Sequence, residues 1–149
     1  MTNYKTFDYT YDAASLLSLY NTLKAEGKYQ STECFNTVYL TDVPHDIFPK
    51  MNIFGRLLDS NEYGLAEITA DTGYHVNPGN NGLIIFPIEG VINFTFENDD
   101  SIDITQPTIT NGKVSHTYSP KSDSAIFFAI KIPFDIDINI VYEQISVLS

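Results

Sequence analysis

One cysteine, one arginine and no tryptophan stand among 149 residues, and each scarcity closes off a class of answer. A single thiol forms no internal disulfide, so stability must come from a buried core. A chain of this length buries roughly 70% of the surface its unfolded form exposes, which is enough for one domain without staples. Cys34 opens the apolar stretch 34–40, where a free thiol is expected to be buried and inert. Basic residues are also few, eight against nineteen acidic ones, for a formal charge of -11. That field repels phosphate backbones and anionic membrane surfaces, so neither nucleic acid nor a membrane is an expected partner. No apolar run reaches the roughly 20 residues that span a bilayer. The opening Met1-Thr2-Asn3-Tyr4-Lys5 has no apolar segment of the secretory kind, and a cytoplasmic location is the expectation. Asn93-Phe94-Thr95 fits the glycosylation pattern by chance. No Gly-x-Ser-x-Gly elbow and no phosphate-cradling glycine loop before a helix are present, which removes the usual hydrolase and nucleotide-binding readings.

Ten Tyr and ten Phe, with many Ile and Thr, favour pleated and half-buried surfaces. One helix is expected over about 13–26: Asp12 can cap it, Ala13, Leu16, Leu17, Tyr20 and Leu23 recur at helical spacing, and Gly27 stops it. From Cys34 onward the period falls to two. Ile92, Phe94 and Phe96 alternate with polar residues, and Ile136, Ile138 and Ile140 read as a second strand of that kind. Residues 125–132 are apolar on both faces, as a strand covered on both sides would be. Turns at Asn77-Pro78-Gly79, Asn81-Gly82, Glu89-Gly90, Asn98-Asp99-Asp100 and Asn111-Gly112 cut these runs short, and the Asn-Gly pairs signal hairpins. The reading is a mainly β fold, a double-stranded β-helix or jelly roll, as a single domain over 1–149. The helix packs on the sheet and the jelly roll runs over about 34–146.

Two histidines carry the candidate site. His75 precedes the Gly-rich turn 77–82 and an apolar strand. His116 follows some forty residues later, before the polar turn 119–124 and the core strand. This arrangement, over roughly 65–132, resembles the cupin and 2-oxoglutarate oxygenase pattern. The resemblance implies His75 and His116 as ligands of a divalent metal, iron or another, inside the barrel. Asn77 stands where those families place a carboxylate, and Asn81 or Gly82 where metal-binding cupins place another. Ala125 and Ile126 occupy the region of the oxygenases' cosubstrate arginine. Asp71 and Glu89 bracket His75 as alternative carboxylates. Arg56, the sole arginine, and Lys121 or Lys131 are the cations available to an anion. His45 reads first as a solvated loop residue and second as a third nitrogen ligand.

Three functions stay open. The first is a cupin-like small-molecule-binding domain, metal-free or not, with Tyr74, Asn77, Tyr118 and Arg56 as ligand contacts beside the histidines. The second is a divergent iron-dependent oxygenase or another metal-dependent cupin enzyme. The third is a structural or interaction jelly roll, with a homodimer as the expected assembly. The residues do not decide whether the chain is an enzyme.

Overall fold

The computed structural model describes residues 2–40, 63–132 and 137–146. In chain order the elements are β1 (Tyr4–Thr6), α1 (Ala13–Ala25), β2 (Gln30–Ser31), β3 (Phe35–Tyr39), β4 (Tyr63–Ile68), β5 (Leu83–Glu89), β6 (Ile92–Phe96), β7 (Ser101–Ile104), β8 (Thr108–Thr110), β9 (His116–Pro120), β10 (Ala125–Lys131) and α2 (Ile138–Ser146). The described strands form two sheets, ordered β1-β8-β5-β10-β4-β3-β2 and β7-β6-β9. A reciprocal bridge between His75 and His116 adds a stub of a fourth strand beside β9. Every pairing is antiparallel. Following the chain from β4, the segments pass back and forth between the two sheets, apart from the β6–β7 hairpin within the small sheet, which is how a jelly roll is wound. The mainly β fold with a helix on the large sheet is therefore as the sequence reads.

Two cores result from the alternation of side chains along the strands. On the inner face of the large sheet, Ala66, Ile68, Ile85, Ala125 and Phe127 meet Ile92, Phe94, Phe96 and Ile104 of the small sheet. On its outer face, Leu65, Phe86, Phe128 and Ile130 pack against Leu16 and Tyr20 of α1 and Ile138, Val141 and Ile145 of α2. Strand β10 is thus apolar on both faces because each face meets a different layer.

Helix α1 begins where Asp12 accepts the Ser15 backbone N–H at 3.0 Å and ends in a Schellman turn. There Gly27 (φ 76°) donates to Lys24 at 2.9 Å and Lys28 to Leu23 at 2.9 Å. Its docking is fixed by Glu67, whose carboxylate accepts from Tyr20 at 3.0 Å, Lys24 at 3.0 Å and Asn36 at 3.2 Å. Burial alone would raise the Glu67 carboxyl, but the hydrogen bonds from Lys24, Asn36 and Tyr20 outweigh it and hold it below the usual carboxylate range.

The carboxy-terminal segment corrects one expectation. Ile138 and Ile140 lie in helix α2, not in a strand, and Ile136 falls outside the described residues. Asp137 starts the helix by accepting the Asn139 backbone N–H at 2.8 Å. Ile138, Val141 and Ile145 then recur at helical spacing and are buried, while Ile140 is 46% exposed. The jelly roll itself ends with β10, so its expected limit at 146 includes this helix. Neither Asn-Gly pair closes a hairpin between consecutive strands. Gly112 serves close approach instead: a Cβ there would fall on the Asn81 carbonyl, so only glycine lets these two chain segments touch.

Candidate functional site

Strand β9 places His116 and Tyr118 on the face that looks into the barrel, opposite Phe96 and Phe94 of β6. The His75 and His116 backbones exchange hydrogen bonds of 2.9 Å in both directions. Directly opposed residues of an antiparallel pair point to the same face, so the two imidazoles become neighbours, with ring centroids 4.6 Å apart. Thr72 holds the other end of the stub: its backbone N–H donates to the Tyr118 carbonyl at 3.1 Å, and its Oγ1 accepts the Tyr118 N–H at 3.1 Å.

Each ring has its orientation and tautomer set by a carbonyl two residues back. His75 Nδ1 lies 2.8 Å from the Gly73 oxygen and His116 Nδ1 lies 2.7 Å from the Val114 oxygen. A carbonyl only accepts, so both Nδ1 atoms carry the proton, and in the neutral rings both Nε2 atoms present a lone pair. His116 is 1% exposed, and its buried Nε2 has no hydrogen-bond partner among the described residues. Around it stand Phe94, nearly parallel at 5.8 Å, and Phe96 at 5.8 Å. Desolvation in this aromatic setting pushes the His116 pKa below its ordinary value, outweighing the hydrogen bond to Val114, which raises it. The ring is therefore a neutral acceptor near pH 7.

A pocket of about 320 Å³ opens beside the pair, with Glu33, Cys34, Phe35, Thr72, His75 and Tyr118 in its wall. The Tyr118 ring lies 5.4 Å from His75, 5.5 Å from Phe35 and 4.6 Å from Phe94. Burial, and to a smaller extent the neighbouring Cys34, push the Tyr118 hydroxyl up to about 12, so it stays protonated. A second hollow of about 160 Å³ lies on the inner face of the large sheet, with Thr37, Ala66, Leu83, Ala129 and Lys131 in its wall.

The expected residues divide accordingly. His75, His116 and Tyr118 come together. Tyr74 is 58% exposed and is absent from the pocket wall. Asn77 is buried, its Nδ2 donating to the Asn81 carbonyl at 2.9 Å and its backbone N–H to Gly112 at 3.1 Å, so it pins the turn that follows His75. Arg56 and His45 lie outside the described residues. Cys34 departs from the buried, inert thiol expected: it is half-buried in the pocket wall and its thiol donates to the Asp71 carbonyl at 3.3 Å. Glu33, Phe35 and Thr72 were not signalled by the sequence, because they reach the histidines only through strand pairing.

Among the described residues no cluster of three His, Cys, Asp or Glu side chains is placed to hold a metal ion. Asp71 and Glu89 do not complete one with the histidine pair. Among the described residues the donors brought together are the two imidazoles, without the third ligand of a two-histidine, one-carboxylate centre.

No protein-family model matches this sequence, and no curated protein matches it either. Among solved structures, a prolyl-4-hydroxylase from Pseudomonas putida aligns over 87% of this chain and 92% of its own, at 9% identity and a TM-score of 0.59. An ectoine synthase from P. lautus aligns over 78% of this chain and 76% of its own, at 16% identity and a TM-score of 0.48. A cupin-2 domain protein from Shewanella frigidimarina aligns over 46% of this chain and 67% of its own, at 15% identity and a TM-score of 0.41. No described helix is long and apolar enough to cross a membrane. The hydroxylase likeness concerns fold alone, and it agrees with the jelly-roll winding described above.

Proposed function

We propose that this chain is a small-molecule-binding jelly-roll domain, with its ligand in the pocket beside His75 and with His75 and Tyr118 as polar contacts. The observation that carries the reading is the pocket itself, whose wall sets His75, Thr72 and Tyr118 beside the Phe35 ring, with His116 buried behind His75. The tautomers fixed by Gly73 and Val114 support this, because they keep both lone pairs pointing away from the backbone. At about 320 Å³ the pocket matches the lower end of the roughly 300–1,000 Å³ range of small-molecule sites.

A divalent metal is the second reading, favoured by the same tautomers, since a metal-binding histidine commonly gives its other ring nitrogen to a carbonyl. Among the described residues no third His, Cys, Asp or Glu joins the pair as a ligand, and so hydrogen bonding to an organic ligand is placed first. The test is ligand-detected NMR against a library of small polar aromatics and amines, with hits mapped by amide shifts and metal content measured on the same protein. Expected hits move Thr72, His75 and Tyr118 and are lost in His75→Ala. Hits confined to the second hollow, or none at all, would refute the reading. Near-stoichiometric metal lost in His75→Ala would favour the second.

A further inference from the structure

We propose that the pocket beside His75 selects a small organic monocation with N–H donors, a primary ammonium or an amidinium, an inference that rests on the small-molecule reading above. Among the described residues Glu33 is the one charged side chain in the pocket wall, joined there by no lysine or arginine. Its carboxylate makes no ion pair with a described residue. An anion would therefore meet a negative charge that no described cation offsets. A neutral ligand would gain from Glu33 a hydrogen bond but no charge attraction. A cation would gain the carboxylate as counter-charge and the His75 Nε2 as an acceptor for one of its N–H groups. Two walls are aromatic, Phe35 and Tyr118, with centroids 5.5 Å apart and planes tilted by 50°. Ring quadrupoles attract cations and leave alcohols nearly indifferent. The formal charge of -11 draws the same class of ligand toward the surface.

The probes are benzylammonium, benzyl alcohol and benzoate, which share one ring and differ in charge. Binding is followed at pH 7 by amide shifts of Thr72, His75 and Tyr118 in the full chain and in Glu33→Gln. Glu33 is exposed, so that variant keeps the fold. Benzylammonium is expected to bind about tenfold more tightly than benzyl alcohol, with roughly fivefold of that lost in Glu33→Gln, and benzoate is expected to bind weakest. Equal binding of ammonium and alcohol, tighter binding of benzoate, or a preference unchanged in Glu33→Gln would overturn the cation assignment and leave the pocket reading standing. No shift at those three residues with any probe would overturn both.

Discussion

Replacing His116 by leucine should stabilise the fold, by an amount that can be worked out term by term. The native ring buries an Nε2 with no donor, and removing it recovers about 1–3 kcal/mol. Against this, the bond from Nδ1 to the Val114 carbonyl at 2.7 Å disappears, a loss of about 0.5–1.5 kcal/mol. The ring contact with Phe94 is also lost, for about 0.5 kcal/mol or more. The balance runs from a loss of about 1 to a gain of about 2 kcal/mol and centres on a gain near 0.5, a rise of about 1–2 °C in Tm for a domain of this size. The difference should widen in acid. The folded pKa of His116 lies below its ordinary 6.5, so the unfolded state binds more protons and stability rises with pH up to that value. Between pH 7.5 and 5.5 the native protein should lose up to about 1.4 kcal/mol through this group, a loss His116→Leu does not share. Urea unfolding of both proteins at the two pH values, with the slope m held as a check, measures each term. A variant less stable by more than about 1 kcal/mol at unchanged m would show that Nε2 has a partner in the native state and would refute the desolvation argument.

Three further substitutions probe what surrounds the site. Gly112→Ala places a Cβ on the Asn81 carbonyl; thermal unfolding should fall by several kcal/mol equivalents, about 3 or more, and the His75 and Asn77 amide signals should shift with it. Glu67→Gln removes the charge that Tyr20, Lys24 and Asn36 share and should cost about 1–2 kcal/mol in urea. The Glu67 carboxyl is held below its ordinary value, so its contribution is present above that value and lost as pH falls through the folded pKa; the variant should lack that acid limb. Ile145→Ala, at a fully buried position of α2, should cost about 2–4 kcal/mol by calorimetry. A cost below about 1 kcal/mol would mean that α2 is not docked.

The parts of the fold legible in the sequence are those whose signals are local. Asp12, the spacing of Leu16 and Tyr20, and Gly27 delimit α1 almost to the residue, because cap, stripe and stop lie within sixteen positions. Ile92, Phe94 and Phe96 announce β6 for the same reason. The segment around Ile138 misleads because a residue on every second position satisfies a strand while Ile138, Val141 and Ile145 satisfy a helix. Only the outer face of the large sheet, which buries those three and leaves Ile140 in solvent, decides between them. Strand β1, three residues long, has no period to read, and it exists because β8 offers it an edge.

The site shows the same limit from the chemical side. Histidines near a turn and at a strand start are conspicuous in a chain with only three, and their facing positions follow from jelly-roll winding once the fold is granted. What they face does not follow. Cys34 and Phe35 sit some forty residues before His75 and arrive through β3 pairing with β4, while Thr72 arrives through its bonds to Tyr118. Asn77 stands in a carboxylate's place in the sequence pattern, yet its amide donates to Asn81 in the turn. A charged ligand set would need a counter-ion in the barrel. The two imidazoles stand among Phe94, Phe96 and Tyr118, and Glu33 lies in the wall of the pocket beside them. On the proposal made above, the chemistry of this pocket is set by what its described wall lacks as much as by its histidines, and its ligand brings the N–H and the positive charge itself.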